Sequence, residues 1–426
     1  MTFRSTPPPI KDPADLHLEL RPCQRFSLDN GLQVYAIDAG AEEVLQVDIV
    51  FQAGNSYEEK NGLAPAVNFL LKNGTPSRSA FEINEFFDYH GAYLNRNCHN
   101  ETADVVLHCL NKHLPELLPV MCELLTEAEF PAQELDIYRQ NMKQRLDVNL
   151  QKCDFVANRL IDEYLWGFAH PYGRYSTHES YDALDRNALR VFYNKHYACG
   201  HATLFVAGLL PKDIETQLNR SFGQLPLQRK PLAPAAHPTR RASERRHRII
   251  NQPDGVQGAI RMGRSFPNRH HPDYPGATVL NALFGGFFGS RLMENIREDK
   301  GYTYGIYSFL QHHLTESAWM VSTEAGREVC EATIEEVYRE MRRLREEEIP
   351  TDELQMVRNY LMGTLLGELD GPFQIIGRWK NLVLNGLDEG FFTRTIETIR
   401  SISDVELKTL ANRYLQEETF YELLVI

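Results

Sequence analysis

Apolar residues near the start of the chain alternate with polar ones. Phe26 and Leu28 lead into Asp29-Asn30-Gly31, a turn sequence, and Leu32, Val34 and Ala36 then recur at every second position. A period of two places such residues on one face of a strand. Leu45 to Phe51 predicts a second strand. The period then lengthens. Leu114, Leu117, Leu118, Met121, Leu124 and Leu125 fall three or four apart, which predicts an amphipathic helix. Val329, Ile334, Val337, Met341 and Leu344 predict another, with Glu and Arg on its outer face.

Two stretches of the chain repeat each other. Pro131-x-x-Glu134-Leu135-x-x-x-Arg139 matches Pro350-x-x-Glu353-Leu354-x-x-x-Arg358 at an offset of 219 residues. Each follows an amphipathic segment and sets Pro where a new helix can begin. Leu184, Leu189, Asn194 and Lys195 match Ile402, Leu407, Asn412 and Arg413 at an offset of 218. Both stretches run on into strand-like segments, Leu204-Phe205-Val206 and Leu423-Leu424-Val425-Ile426. The pattern predicts a duplicated α+β chain: two homologous domains that mix strands and helices. Between the halves, Pro226, Pro231, Pro234 and Pro238 punctuate a run rich in Arg and Lys, including Arg229, Lys230, Arg240, Arg241, Arg245, Arg246 and Arg248. That composition predicts domains at 1–225 and 249–426 joined by a solvated linker at 226–248.

Composition narrows the class. The 426 residues are 42% hydrophobic and 24% charged, as in an ordinary globular protein. Forty-five Lys and Arg against fifty-eight Asp and Glu give a net charge of −13, the wrong balance for general nucleic-acid binding. No apolar run is long enough for a membrane helix. The first twenty residues, with Pro7-Pro8-Pro9 and scattered charges, lack the apolar core of a secretory signal. Seven cysteines lie far apart, an odd number with no C-x-x-C pair, so reduced and mostly buried thiols in a cytoplasmic protein are expected.

Familiar catalytic spacings are missing. Among fifteen His there is no H-E-x-x-H and no H-x-x-E-H. His270-His271 and His312-His313 are adjacent and point apart, and His108 and His113 are badly spaced for one helix face. His99-x-Glu101 places two donor types on one strand face, an arrangement chance readily supplies. Gly285-Gly286-Phe287-Phe288-Gly289 lacks the strand-to-helix phosphate fingerprint.

One segment nevertheless has a recognisable frame. Gly62-Leu63-Ala64-Pro65-Ala66-Val67-Asn68-Phe69, ending in Gly74-Thr75, resembles the zinc-binding segment of the M16 metallopeptidases. That family includes pitrilysin, insulin-degrading enzyme and mitochondrial processing peptidase, and its active members read G-L-A-H-x-x-E-H. Asn30-Gly31-Leu32, Gly91-Ala92-x-Leu94-Asn95 and His170-Pro171-Tyr172-Gly173 resemble further landmarks of the family. So do Gly285-Gly286, Ser290-Arg291-Leu292 and Arg297-Glu298-x-Lys300-Gly301 in the second half. The resemblance runs in order along nearly the whole chain and implies the same duplicated α+β fold, with mostly antiparallel sheets and packed helices.

The departures fall on the chemistry. Pro65 and Phe69 stand where the resemblance implies zinc-binding His, and Asn68 stands where it implies the catalytic Glu. Zinc needs His, Cys or carboxylate donors, and an amide takes no proton from water. Counting on from Phe69 by the family's spacing to the third ligand lands on Leu146, with only Asp147 acidic beside it. Pro65 is tolerated near a helix start, and Ala66, Phe69 and Leu70 then read as core. What the resemblance retains is Arg297 and Tyr304, matching the family's substrate-binding Arg/Tyr pair.

The resemblance therefore implies a non-catalytic M16 subunit that binds no metal of its own. Its expected partner is a zinc-bearing homologue in a heterodimer, or a second copy in a homodimer. Its substrate would be an unfolded peptide, with neither nucleic acid nor membrane involved. The alternatives are a purely structural or peptide-holding protein, and an independent enzyme with an unrecognised site.

Overall fold

A computed structural model describes residues 16–233 and 236–426. Pro7-Pro8-Pro9 and the linker's Pro234 lie outside the described residues. Asp29-Asn30-Gly31 joins β1 (Gln24–Ser27) to β2 (Gln33–Asp38) as an antiparallel hairpin, and β3 (Val44–Phe51) follows. α1 (Leu63–Leu70) and α2 (Ala80–Tyr89) lead into the antiparallel pair β4 (Tyr93–Cys98) and β5 (Ala103–Leu110). The leucine stripe at 114–125 forms α3 (Leu114–Thr126), followed by α4 (Ala132–Leu150) and α5 (Cys153–Trp166). Short α6 (His178–Asp182) and α7 (Arg186–Tyr193) precede β6 (Ala202–Gly208) and α8 (Ile214–Phe222).

The second half repeats this plan. β7 (Arg246–Ile249), β8 (Gln257–Phe266) and α9 (Tyr274–Asn281) precede the hairpin of β9 (Thr303–His312) and β10 (Ser317–Gly326). α10 (Cys330–Glu346), α11 (Thr351–Gly367) and α12 (Pro372–Leu384) follow, then α13 (Glu389–Ser401), α14 (Asp404–Tyr414) and β11 (Tyr421–Val425). The first sheet has the order β1-β2-β6-β3-β5-β4 and the second β7-β11-β8-β10-β9. Without β1 the two orders are the same. In each sheet one pair is parallel, β2 with β6 and β7 with β11, and the remaining pairs are antiparallel. The α+β duplication is thus present in the topology itself.

The repeated sequence motif has a repeated job. Pro131 and Pro350 hold the same extended ψ of 140° and start α4 and α11 at the next residue. Glu134, in the first turn, accepts from Asn73 Nδ2 at 2.7 Å. Glu353 at the matching place takes a two-pronged bond from Arg291, at 2.8 and 2.9 Å. Arg139 then donates to the Leu184 carbonyl, and Arg358 to the Ile402 carbonyl at 2.7 Å.

The halves are held together by an exchange of helices. One face of the first sheet packs on its own helices through residues such as Leu204 and Val206. The opposite face, with Ile37, Val50, Phe205 and Ala207, is covered by Ile375, Ile376, Trp379 and Leu382 of α12, which belongs to the second half. Reciprocally, Ala259, Ala318, Met320, Leu423 and Val425 of the second sheet are covered by Ala157, Ile161, Leu165 and Trp166 of α5. α5 and α12 occupy equivalent places in the duplication. The described residues between the halves are exposed or half-buried, and they are tied down at several points. Arg240 and Ala242 donate their N–H groups to Trp166 and Tyr164, Arg248 pairs with Glu331 and Glu422, and β7 begins inside the stretch read as linker.

Each exchanged helix carries a polar residue into the interface at the same slot. Lys380 of α12 reaches Asp48 at 2.7 Å and Asp104 at 2.8 Å, both buried in the first sheet. Burial pushes the Asp48 carboxyl up to about 6 although Lys380 pulls it down. The matching residue of α5 is Asp162, pushed up to about 7 by burial and bonded to Gln311 at 3.2 Å. All seven cysteines are free, but only Cys109 and Cys330 are buried, so the expectation of mostly buried thiols is corrected. They lie on scattered elements, and no pairing pressure drives them inward. Among the described residues no helix is long and apolar enough to cross a membrane.

Removing Lys380 leaves two buried carboxylates without their cation, which typically costs about 3–5 kcal/mol. Lys380→Met is expected to lose that much in urea unfolding near pH 7. Because the folded Asp48 carboxyl titrates above unfolded Asp, folding takes up a proton there, and the deficit should shrink as pH falls from about 7 to 5. An undiminished deficit at the lower pH would refute this account.

Candidate functional site

α1 begins where Gly62 adopts φ +84°, a left-handed turn that favours glycine. Its free N–H groups are capped from upstream. The buried Glu58 carboxylate accepts from Gly62 N at 3.2 Å and Ala64 N at 2.9 Å, with Arg174 at 3.5 Å. Burial pushes Glu58 up to about 7 against the pull of those N–H groups. Pro65 lies in the first turn, where a missing N–H leaves no broken bond.

The donor positions of the zinc frame are otherwise engaged. Asn68 is buried, and its Nδ2 donates to the Asp104 carbonyl at 3.3 Å and the Tyr197 hydroxyl at 3.2 Å. Burial holds the Tyr197 phenol far above its usual range, so that hydroxyl stays protonated. Ala66 and Leu70 are core, as the pattern predicts, but Phe69 is 44% exposed. This corrects its reading as core: one position on from Asn68, the helix turns Phe69 about 100° away from the buried face. Its ring rests on Tyr138 of α4 at 5.2 Å, and the Arg96 guanidinium lies 5.3 Å from it while donating to the Phe69 carbonyl. Burial lowers Arg96 to about 10, still a cation at neutral pH. Leu146 is buried on α4, and Asp147 is paired with His178 at 2.8 Å. Among the described residues no group of three possible metal ligands includes an α1 position. Two side chains without donors, an engaged amide and a neighbouring guanidinium do not fit a divalent metal.

Arg297 and Tyr304 stand in the second half. Arg297 lies near the end of a π-helix, Met293–Asp299, closed by Gly301 at φ +66°. Tyr304 follows on β9, the outermost strand of its sheet, and is 92% exposed. The two residues meet through the main chain, Arg297 Nε donating to the Tyr304 carbonyl at 3.0 Å. The guanidinium also pairs with Glu298 and stacks over Phe288 at 4.6 Å. Close packing requires glycine at 285, where a Cβ would lie 2.7 Å from Ser308 Cβ. No hydrogen bond, ion pair or ring contact among the described residues joins Arg297 or Tyr304 to Pro65, Asn68 or Phe69.

Other motif residues prove structural. Tyr172 stacks on His313 at 3.9 Å and bonds Glu101 and Thr315 across the two halves. Glu101 also accepts from Leu314 N at 3.2 Å, so His99-x-Glu101 serves this junction. Arg96 and Tyr197, which complete the surroundings of α1, carry no local sequence signal; only pairing of β4 and packing of the segment after α7 bring them there.

Residues 34–169 match the family model for insulinase (peptidase family M16), and residues 183–361 match the model for the peptidase M16 inactive domain. The chain belongs to peptidase family M16. A Bacillus subtilis protein named as an uncharacterized zinc protease is 21% identical to this M16 chain over 367 residues, covering 85% of it and 88% of the relative. A Mycobacterium bovis protein with a similar description is 27% identical over 311 residues, 71% of this chain and 70% of the relative. The crystal structure of a peptidase M16 inactive domain from Pseudomonas fluorescens shares the fold with a TM-score of 0.82 at 21% identity, covering 95% of this chain and 98% of that one. A protease from Helicobacter pylori does so with a TM-score of 0.85 at 16% identity, covering 95% and 99%.

Asn68 in this M16 chain is a packing amide. Asn68→Leu removes the donor facing Tyr197 and the Asp104 carbonyl and is expected to cost about 1–3 kcal/mol. Chemical unfolding checks this, and an unchanged midpoint would refute the structural role.

Proposed function

We propose that this chain is the non-catalytic subunit of a two-chain M16 peptidase. It pairs with a zinc-bearing homologue and presents Arg297 and Tyr304 to the peptide. The observation that carries this reading is the contrast between the halves: α1 offers no metal donor, whereas Tyr304 projects, 92% exposed, from the free edge of β9. An extended peptide is suited to such an edge, because a free strand offers main-chain donors and acceptors at the spacing the peptide needs.

The zinc-dependent activation of water belongs to the partner. In this chain the Tyr304 hydroxyl donates to the peptide carbonyl oxygen as negative charge builds there. Arg297 positions Tyr304 through its carbonyl and adds positive potential, while Phe288 holds the guanidinium flat. Donors aimed at developing charge are worth most where water is excluded, which the meeting of two subunits provides. The seven unpaired cysteines favour a reducing, cytoplasmic setting for the pair. A purely structural, peptide-holding role is the second reading, favoured by the pairing of Arg297 with Glu298, which already occupies part of the guanidinium.

Peptide cleavage by the reconstituted pair tests this. Arg297→Ala with Tyr304→Phe in this chain is expected to lower kcat/KM by about 10²–10³ without weakening assembly. Full activity of the doubly substituted pair would leave only the structural role. Cleavage by this chain alone would overturn both.

A further inference from the structure

One cluster outside α1 and the Arg/Tyr pair carries metal-ligand chemistry. His90 is the C-cap of α2, His113 the N-cap of α3, and Glu116 lies in the first turn of α3. One donor atom from each lies within 4.8 Å of the other two. The His90 and His113 rings meet edge to face, centroids 5.0 Å apart.

The hydrogen bonds of His90 set its tautomer. The ring is 8% exposed, and its Nδ1 lies 2.8 Å from the Phe86 carbonyl, which can only accept. Nδ1 therefore carries the hydrogen, and Nε2 directs its lone pair at a Glu116 oxygen 2.7 Å away. Two lone pairs at that distance need positive charge between or beside them. A second proton on His90 supplies it but leaves His113 idle: among the described residues the His113 ring makes no hydrogen bond, although it faces the same point. A divalent ion engages all three groups. An imidazole anchored through its other nitrogen to a backbone carbonyl is also the usual outer support of a metal-bound histidine.

We propose that His90 Nε2, a His113 ring nitrogen and a Glu116 carboxylate oxygen form a binding site for a late first-row divalent cation, Zn2+ foremost. Two imidazoles with one carboxylate suit zinc, copper or nickel, whereas calcium and magnesium require mainly oxygen. With bonds of about 2.0–2.2 Å the ligand atoms must stand somewhat over 3 Å apart, so Glu116 has to draw back slightly from His90. It is free to do so, its side chain being 61% exposed. Water would complete the coordination. The site ties the end of α2 to the start of α3, immediately before Gly91 at φ +58° and the edge strand β4. Its role is to fix the entry to that strand, and it is independent of the pairing of subunits.

The test uses the full chain, stripped with chelator and titrated with Zn2+ by calorimetry and with Co2+ by visible absorption. One equivalent is expected to bind, and His113→Ala and Glu116→Gln are each expected to weaken binding at least about tenfold. Both positions lie at the protein surface, and circular dichroism confirms that the variants fold. Asp147→Ala is expected to leave binding unchanged. Absence of saturable binding by the wild type would leave only a His90–Glu116 ion pair and overturn the proposal. Equal affinity in His113→Ala, or loss of binding in Asp147→Ala, would overturn it as well.

Discussion

Each sheet in this molecule has two apolar faces, and the half to which it belongs covers only one of them. The second face is buried by a helix from the other half, α12 on the first sheet and α5 on the second. Exposed to water, either face would present a contiguous apolar patch of the kind soluble monomers avoid. The exchange therefore binds the halves to one relative placement through the hydrophobic term that dominates folding. Lys380 between Asp48 and Asp104, and Asp162 beside Gln311, add direction to an otherwise non-directional contact. A buried ion pair is a weak source of net stability but a strong penalty against misplacement, since a shifted helix strands its charges.

The first helix is held in place without any metal ligand at Pro65, Asn68 or Phe69. α1 is held by Glu58, by the turn at Gly62 and by Ala66, Val67 and Leu70 in the core, none of which depends on metal. Asn68 has become a donor to its buried neighbours. Phe69, 44% exposed, leans against Tyr138 and Arg96, a cation where a metal-binding frame would keep anionic or neutral donors. The second half keeps its edge strand open, and Tyr304 stands on it with its hydroxyl facing solvent. The duplication has thus left two halves with the same topology and different surfaces. The first has no His or carboxylate at positions 65, 68 and 69, and the second displays an exposed tyrosine hydroxyl.

Much of this is legible along the chain because it is local. Period-two and period-three-to-four patterns mark β1 to β3, α3 and α10, since each places its apolar residues by its own geometry. The repeated Pro-x-x-Glu-Leu-x-x-x-Arg marks the duplication because its Pro starts a helix locally in both halves, while its Glu and Arg reach partners more than forty residues away. The absence of donors at Pro65 and Phe69 is a property of residue type and needs no coordinates. Phe69 differs from its apolar neighbours for a local reason too: residue type favours burial, but helical phase turns it outward.

Local residue patterns thus specify the element types, the repeat, the family frame and the residues that stand at its donor positions. Tertiary structure alone decided which sheet each helix covers, because α5 and α12 pack across the boundary that their order in the chain suggests they respect. It alone brought Lys380 to Asp48, 332 residues away. It likewise assembled His90 with His113 and Glu116 from the ends of two helices separated by a hairpin. Such contacts depend on how the strands are ordered and how the halves exchange helices. Those choices are made by burial summed over the whole molecule, and no short window of sequence contains that sum.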